Sequence, residues 1–168
     1  NDSPRRRAPG LAPQRPKVLY GNPPRWCRLL ELGARFTVDL TYGRNTGYHY
    51  DQRELRRFLA RMARDARVLD PCCNVGGLFV HAGLHGARQI LAFDGDADAA
   101  DLARENAEAN GLIGRVKVEP GATLAVLKAV TDTFDLVLLD AREATSHESF
   151  IEHARLALRR TRHGGRLL

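Results

Sequence analysis

Blocks of apolar residues alternate with amphipathic segments along residues 67–168, and this alternation predicts strands and helices in turn. Short apolar runs predict strands at 67–70, 89–94, 115–119, 134–140 and from 164 onward. Apolar residues at helical spacing predict helices at 76–86, 96–110, 122–130 and 147–161. Strands that alternate with helices are typical of a parallel sheet with helices on both faces. We therefore predict an α/β fold with a doubly wound, Rossmann-like, mostly parallel sheet.

The preceding segment, residues 26–66, predicts a β-hairpin followed by one helix. Residues 26–42 predict two short strands joined by a turn at Leu32-Gly33-Ala34. The predicted helix spans 51–65, with Asp51 as its N-cap and arginines on its polar face. Its apolar face is expected to carry Leu55, Phe58, Leu59 and Met62.

The N-terminal segment, residues 1–25, differs from the rest in composition and charge. It is rich in Pro and Arg, lacks apolar periodicity and is predicted to be a disordered or extended arm. Residues 1–30 carry seven Lys or Arg and one acid, which accounts for the whole net charge of +6. Such an arm can bind phosphate backbones or serve as a solvated linker. Because the first residue is not Met, we expect that an upstream portion was removed, and a transit-peptide remnant stays open.

Composition limits the class of protein. A chain of 168 residues with 43% hydrophobic residues is long and apolar enough for a single folded domain. No run approaches the roughly 18 apolar residues of a membrane span, and three cysteines provide no disulfide framework. His and Cys spacing predicts no metal site. We expect a cytoplasmic protein divided into the arm (1–25), a hairpin with its helix (26–66) and a Rossmann-like domain (67–168).

The candidate ligand site follows from the predicted sheet. Ligands of such sheets bind beyond the carboxyl ends of the strands, where Asp70, the turn 71–77, Asp94 and Asp140 are expected to lie. The pair Gly76-Gly77 lets the backbone approach a ligand, and an acid at position 94 can accept hydrogen bonds from ribose hydroxyls. The G-x-G-x-x-G run of nicotinamide folds is absent. An acid ending the first strand suits a cofactor with a positive amine, which favours S-adenosylmethionine over a dinucleotide. The alternative is an α/β domain that binds nothing and uses its glycines only as turns.

Two runs of residues carry a specific family resemblance. "VDLTYGRNTGYHYDQRELRR" and "VLDPCCNVGGLFVHAGLHGA" resemble the large-subunit ribosomal RNA methyltransferases of the cytosine-C5 type and their guanine-methylating relatives. The family combines a Thr-Gly-x-x-x-Asp-Gln-Arg run with an Asp-x-x-Cys-x-x-Gly-Gly turn. The resemblance covers about residues 26–140 and continues more weakly to the end. It implies the class I methyltransferase fold, S-adenosylmethionine as cofactor and RNA as the substrate.

The resemblance also assigns roles to residues. It implies a lip that closes over the methionine part of the cofactor, formed by Thr46, Gly47, Tyr48, Asp51 and Arg53. It implies contacts with the methionine and its amine from Asp70, Cys72, Asn74, Gly76 and Gly77. Asp94 is expected to bind the ribose, and Asp140 is the candidate catalytic residue near the acceptor base. The cluster at positions 48–50 could equally be packing beneath the helix.

The chain departs from the family pattern at four places. Asn45 stands where the family has Lys, and Ala122 stands where an acid contacts the adenine. After Asp140 the family has Pro-Pro and an aromatic residue, whereas this chain has Ala141 and Arg142. The chain also stops at position 168, before the last strands of the usual sheet. In the cytosine-C5 members those strands bring the nucleophilic Cys; Cys72 and Cys73 lie in the cofactor turn and are not expected to replace it.

Three functions remain open on this basis. The leading hypothesis is an S-adenosylmethionine-dependent methyltransferase acting on a base of ribosomal RNA. The second is a degenerate methyltransferase fold that serves as a non-catalytic cofactor- or RNA-binding module, which the changes at 45, 122 and 141–142 favour. The third is a methyltransferase with a non-RNA acceptor, which the neutral charge of residues 31–168 permits.

Overall fold

The structure is a computed structural model that describes residues 18, 20–41, 44–141 and 144–168. Most of the predicted arm, residues 1–17 and 19, therefore lies outside the described residues. The first element is an antiparallel hairpin of β1 (Trp26–Glu31) and β2 (Ala34–Asp39). Its two-residue turn has positive φ at both Leu32 (49°) and Gly33 (83°), the geometry that matches the twist of a tight hairpin. The predicted hairpin is confirmed.

Residues 44–168 form alternating helices and strands. Two 3₁₀ turns, Arg44–Gly47 and Tyr50–Gln52, lead into the first helix. The helices are α1 (Arg53–Leu59), α2 (Phe79–Leu84), α3 (Ala97–Ala109), α4 (Thr123–Ala129) and α5 (His147–Arg160). The remaining strands are β3 (Arg67–Asp70), β4 (Gln89–Asp94), β5 (Val116–Pro120), β6 (Phe134–Val137) and β7 (Thr161–Leu167).

These five strands form one parallel sheet in the order β5-β4-β3-β6-β7. The first strand in sequence, β3, lies at the centre, and the chain leaves it in one direction through β4 and later returns to its other side through β6. The switch point between these two directions lies at the carboxyl end of β3, where ligands of such sheets bind. The predicted Rossmann-like α/β fold is confirmed.

Both faces of the sheet are covered, as the apolar strands require. Successive residues of β3 face opposite layers: Val68 packs in a core with the hairpin, α2 and α3, and Leu69 packs in a second core with α4 and α5. Both side chains are fully buried. Among the described residues no helix is long and apolar enough to cross a membrane.

Two asparagines attach the hairpin to the sheet domain. Asn106 and Asn110, one turn apart on α3, each bind both backbone groups of one β2 residue, Thr37 and Arg35 respectively, at 2.6–3.1 Å. The two carboxamides hydrogen-bond to the free edge of β2 in the way that the backbone of a neighbouring strand would. Asn106 also donates to the carbonyl of Val75, at 2.9 Å, so one buried side chain links the hairpin to the turn after β3.

Several predicted boundaries are wrong. The helix predicted over 51–65 is regular only over Arg53–Leu59, and its N-cap position is occupied by Gln52 and not by Asp51, which lies in the preceding 3₁₀ turn. The helix predicted from residue 76 begins at Phe79, because Gly76 has a φ of 90° that an α-helix does not allow. Regular pairing of β6 ends at Val137, although the next two residues still hydrogen-bond to neighbouring strands.

The faces of α1 also differ from the prediction. Arg56 was expected on the solvated face, but its side chain is 0% exposed, whereas Phe58, expected in the core, is 47% exposed. Arg56 is buried because it forms an ion pair with Glu31, a residue of the hairpin. Helical periodicity treats every arginine as a surface residue, so it could not identify this one.

Candidate functional site

A cleft opens at the carboxyl end of β3, between the turn after this strand and the segment that precedes α1. It is open to solvent, and its empty space is about 290 Å³ when the solvent at its mouth is included. We call residues 44–52, which form one of its walls, the lip. The cleft is lined by Gly47, His49, Gln52, Asp70, Cys72, Cys73, Asn74, Gly77, Leu78 and Asp140.

The turn after β3 is shaped by backbone hydrogen bonds to the end of β4. The N–H of Asn74 donates to Asp94 Oδ2 at 2.7 Å, and the N–H of Cys73 donates to the carbonyl of Phe93 at 2.7 Å. The other carboxylate oxygen of Asp94 accepts from the N–H of Asp96 at 3.0 Å. Asp94 therefore holds the two strand-end turns together, and each of its oxygens keeps a further lone pair for a ligand.

Asp70 provides a buried carboxyl group beside this turn. It is 2% exposed, and its Oδ2 has no hydrogen-bond partner among the described residues. Burial raises the pKa of Asp70 well above its usual range; a hydrogen bond from the Cys72 backbone opposes this, and the charges of Asp94 and Asp140 add to it. A buried acceptor with no partner costs free energy unless a donor or a cation reaches it. Asp70 is thus prepared for a positively charged ligand.

The lip packs directly on the turn. Thr46 and Gly47 both have positive φ, 62° and 69°, and a Cβ at Gly47 would lie 2.5 Å from both Asn74 Oδ1 and Val75 Cγ1. Only glycine fits this contact. The glycines of the turn serve a related purpose: a Cβ at Gly76 would meet the ring of Phe79, and one at Gly77 would face Tyr48. Their hydrogens therefore face packed side chains.

A buried ionic network supports the lip from below. Arg56 donates from Nε to Glu31 Oε2 at 2.5 Å and from Nη1 to the carbonyl of His49 at 2.9 Å. Its guanidinium lies over the ring of Tyr48, 4.5 Å from the centroid, and the Tyr48 hydroxyl donates a short hydrogen bond to Glu31. Because His49 lines the cleft, this network determines the position of one of its walls.

The titration of this network follows from its contacts. Burial alone would raise the pKa of Glu31, but the hydrogen bonds from Arg56 and Tyr48 outweigh it, so this pKa lies below its ordinary value. Burial, with the hydrogen bond to Glu31, raises the pKa of Tyr48. His81 is fully buried with both ring nitrogens unbonded, and burial together with Arg56 lowers its pKa to about 4.

Asp140 lies on the opposite side of the cleft from the lip. Its backbone N–H donates to Cys72 Sγ at 3.1 Å, and Gln52 donates from Nε2 to its Oδ2 at 2.8 Å. Burial raises the pKa of both Cys72 and Cys73, which disfavours the thiolate that a nucleophilic cysteine needs. Among the described residues no three His, Cys, Asp or Glu side chains are arranged to hold a metal ion.

The structure brings together only part of the predicted site. The predicted residues that line the cleft are Gly47, Asp70, Cys72, Asn74, Gly77 and Asp140. Gly76 and Asp94 lie directly behind that lining. Thr46 lies beside Gly47 in the lip, Tyr48 packs beneath it, Asp51 is exposed in its second 3₁₀ turn, and Arg53 forms a 3.6 Å ion pair with Glu31.

Sequence reasoning missed other residues of the site. Those that line the cleft are His49, Gln52, Cys73 and Leu78. Glu31 and Arg56 act from beneath the lip. The sequence held a signal for one of these residues. Gln52 is the middle residue of the Asp-Gln-Arg run, between Asp51 and Arg53, both of which were predicted as cofactor-binding residues. Ala122 is exposed and occupies the N-cap position of α4 without a side-chain hydrogen bond. It provides no carboxylate at the position where the resemblance implies an acid that contacts the adenine.

Comparison with known proteins identifies the family. A family model described as S-adenosylmethionine-dependent methyltransferase matches residues 11–163. Ribosomal RNA large subunit methyltransferase I from Aeromonas hydrophila is 34% identical over 133 residues, covering 76% of this chain and 34% of that protein. The protein of the same name from Klebsiella pneumoniae is 31% identical over 148 residues, covering 86% of this chain and 37% of that protein. The chain spans about a third of the length of these curated relatives.

Solved structures support the same assignment at the level of the fold. The M. jannaschii tRNA m1G37 methyltransferase matches with a TM-score of 0.73 and 20% identity, covering 90% of this chain and 44% of that one. M. jannaschii TYW2, solved with AdoMet, matches with a TM-score of 0.68 and 17% identity, covering 87% of this chain and 62% of that one. With the family model matching nearly the whole chain, this protein belongs to the family of S-adenosylmethionine-dependent methyltransferases.

Proposed function

We propose that this chain binds S-adenosylmethionine in the cleft at the end of β3 and transfers its methyl group to a base of large-subunit ribosomal RNA. The observation that carries the proposal is the buried carboxyl group of Asp70, a residue that lines the cleft and whose Oδ2 has no partner among the described residues. The names of the curated relatives support ribosomal RNA as the acceptor. The cytoplasmic location expected from the sequence is part of the same proposal.

The residues of the cleft fit this cofactor. S-adenosylmethionine carries positive charge on its ammonium and sulfonium groups, and the cleft is lined by the carboxyl-bearing residues Asp70 and Asp140, with Asp94 bonded to the backbone of the lining residue Asn74. We assign the ammonium to Asp70, because a cation there satisfies the orphaned oxygen and favours the ionised form of the carboxyl group. We assign the ribose to Asp94, whose oxygens keep lone pairs beyond their backbone bonds. The lip, with Gly47 packed on Asn74, is proposed to cover the methionine part.

The proposed transfer depends mainly on positioning. When bound, the cofactor supplies a methyl group attached to a positively charged sulfur, which an aligned nucleophile can displace in line. Asp140 lines the same cleft and is proposed to accept an N–H of the acceptor base, which orients a nitrogen towards the methyl donor. The raised pKa values of the thiols of Cys72 and Cys73 argue against covalent attack by either on a base carbon.

Calorimetric titration of the 168-residue chain with S-adenosylmethionine tests the first half of this proposal. Saturable binding at micromolar cofactor is expected, and the absence of binding at millimolar cofactor would refute it. Incubation with methyl-labelled cofactor and large-subunit ribosomal RNA tests the second half, with Asp140→Ala as the matched variant that is expected to transfer the label more slowly. Cofactor binding without label transfer to this RNA would refute the enzymatic proposal and favour a non-catalytic binding module.

A further inference from the structure

Gln52 connects the two walls of the cleft. It ends the second 3₁₀ turn of the lip, and its side chain is half-buried at the cleft surface. Its Nε2 donates to Asp140 Oδ2 at 2.8 Å, a contact between residues 88 positions apart in the sequence. The bond joins the segment that precedes α1 to the segment that follows β6, and both of its residues line the cleft.

The backbone of Asp140 is held independently of this bond. Its N–H donates to Cys72 Sγ at 3.1 Å, and the preceding residues continue the sheet, with the N–H of Leu138 donating to the carbonyl of Leu69 at 2.8 Å. These contacts fix where the backbone of the residue lies. The bond from Gln52 holds one oxygen of the carboxylate towards the lip.

A carboxamide suits this role chemically. It donates an N–H without adding charge, so Asp140 keeps its full negative charge, which an Arg or Lys in the same place would offset. A carboxylate accepts about four hydrogen bonds, so an acceptor base can donate to Asp140 while Gln52 stays in place. The amino groups of guanine, adenine and cytosine are donors of this kind.

We propose that Gln52 is a positioning residue that orients the Asp140 carboxylate towards an amino-bearing base and couples the lip to the acceptor side of the cleft. The coupling within the protein is independent of any ligand, whereas its effect on methyl transfer rests on the proposed function. Gln52 is expected to act through Asp140, so replacing Gln52 should have no further effect once Asp140 has been replaced.

Hydrogen exchange of the chain without ligand tests the coupling. Gln52→Ala and Asp140→Ala are each expected to raise the exchange of amides 46–53 by about tenfold, the effect of losing one charge-assisted hydrogen bond. The double variant should show no further increase. Gln89→Ala is the matched control, because Gln89 also makes a side-chain bond, to Arg67, at the opposite end of the sheet. Independent, multiplying increases in the double variant, or no increase in either single variant, would overturn the coupling.

Methylation of large-subunit ribosomal RNA tests the effect on the reaction. Gln52→Ala should lower kcat about tenfold while the Kd for S-adenosylmethionine changes less than twofold. In a chain that already carries Asp140→Ala, adding Gln52→Ala should not lower kcat further. Gln52→Glu should shift the pH profile, with more activity near pH 5 than near pH 8, because two facing carboxylates share a proton at low pH. A loss confined to cofactor affinity would overturn the positioning role. If the unaltered chain transfers no methyl group, the proposed function fails, and the exchange experiment alone decides on the coupling.

Discussion

Asp70 places a cost on the fold that a ligand can relieve. A carboxyl group at this depth, with one oxygen unpartnered and two other carboxylates nearby, stabilises neither of its protonation states well. Its folded pKa is raised, so any stability it contributes is present below the unfolded value of 3.8 and is lost as pH rises through the folded pKa. At neutral pH the folded chain therefore bears an electrostatic cost at this carboxyl group unless a cation offsets it.

Asp70→Asn is expected to stabilise the ligand-free chain at pH 7 while weakening the cofactor. The Tm should rise by about 2–6 °C, and the gain should vanish at pH 3.5, where both states carry a protonated Asp70. The Kd for S-adenosylmethionine should rise roughly tenfold to a hundredfold. Scanning calorimetry and titration measure both, with the exposed Asp98→Asn as control. If Asp70→Asn is less stable than the unaltered chain at pH 7, the Asp70 carboxyl group has a stabilising partner in the folded chain and this prediction is wrong.

His81 introduces a second pH dependence, in the opposite direction. Its folded pKa of about 4 lies below the ordinary 6.5, so below pH 6.5 the unfolded chain takes up a proton that the folded chain resists. Stability is then complete above pH 6.5 and falls as pH drops towards 4. The cause is burial of a ring without hydrogen-bond partners, together with the Arg56 guanidinium; these outweigh the Glu31 carboxylate 3.9 Å away, which acts to raise the pKa of His81.

Replacing His81 with Leu should therefore flatten the acid side of the stability curve. Denaturant unfolding between pH 4 and 7 should show a slope for the unaltered chain that exceeds that of the variant by at most about 1.4 kcal/mol per pH unit. The contribution of Asp70 is common to both chains and cancels in the comparison. His163→Leu, on the exposed surface of β7, provides the control. Parallel slopes for all three chains would contradict the burial of an uncharged His81.

At the scale of elements, the predictions were accurate where nearby residues in the sequence determine the bounds of a helix or strand. Strand β4 and helix α3 were predicted to within one residue, because an apolar run defines the strand, and Asp96 and Gly111 supply the cap and the stop of the helix. The helix α1 was predicted too long. Its beginning depends on the 3₁₀ turn of the lip, and its buried Arg56 depends on Glu31, 25 residues earlier in the sequence. Such long-range contacts leave no periodic trace.

The attachment of the hairpin by α3 gives a testable case of one element supporting another. Asn106→Ala removes the bonds to both backbone groups of Thr37 and to the Val75 carbonyl, and leaves these groups buried without partners. We expect a loss of about 2–4 kcal/mol in the free energy of unfolding. Because Val75 belongs to the cofactor turn, the affinity for S-adenosylmethionine should also fall.

Urea unfolding of Asn106→Ala beside Glu105→Ala measures this effect, since Glu105 is an exposed neighbour on the same helix. Asn110→Ala should cost less than Asn106→Ala, because its bonds to Arg35 lie closer to solvent. A cost for Asn106→Ala within 0.5 kcal/mol of the control would mean that the hairpin is held by apolar packing alone.

For the whole molecule, the sequence was sufficient for the architecture and for the edge of the sheet where the candidate cleft lies, but not for the contacts around that cleft. Alternating elements predicted the parallel sheet, and strand-end acids predicted the rim where the cleft lies. The bond between Gln52 and Asp140 and the network around Arg56 join segments that only the folded chain brings together. The division into an arm and two folded segments stays a prediction, since residues 1–17 lie outside the described part of the chain.

The distribution of charge yields the final prediction. Residues 1–17 contain five basic residues and one acid, whereas residues 31–168 have no net charge. If RNA is the substrate, the arm supplies most of the phosphate contacts, and affinity should fall steeply as salt rises. Deleting residues 1–17 should reduce the slope of log affinity against log salt by up to about 3–4, at about 0.7 per single-strand phosphate contact.

The measurement is a filter-binding series with large-subunit ribosomal RNA at several salt concentrations, for the full chain and the deletion. S-adenosylmethionine affinity serves as the control and should be unchanged, because within the described part of the chain the residues that line the cleft begin at Gly47. If the deletion leaves the slope of log affinity against log salt unchanged, the RNA contacts lie in the folded part of the chain and this prediction is wrong. The exposed Arg57 in α1 and Arg61 and Arg64 after it would then be the residues to reverse in charge.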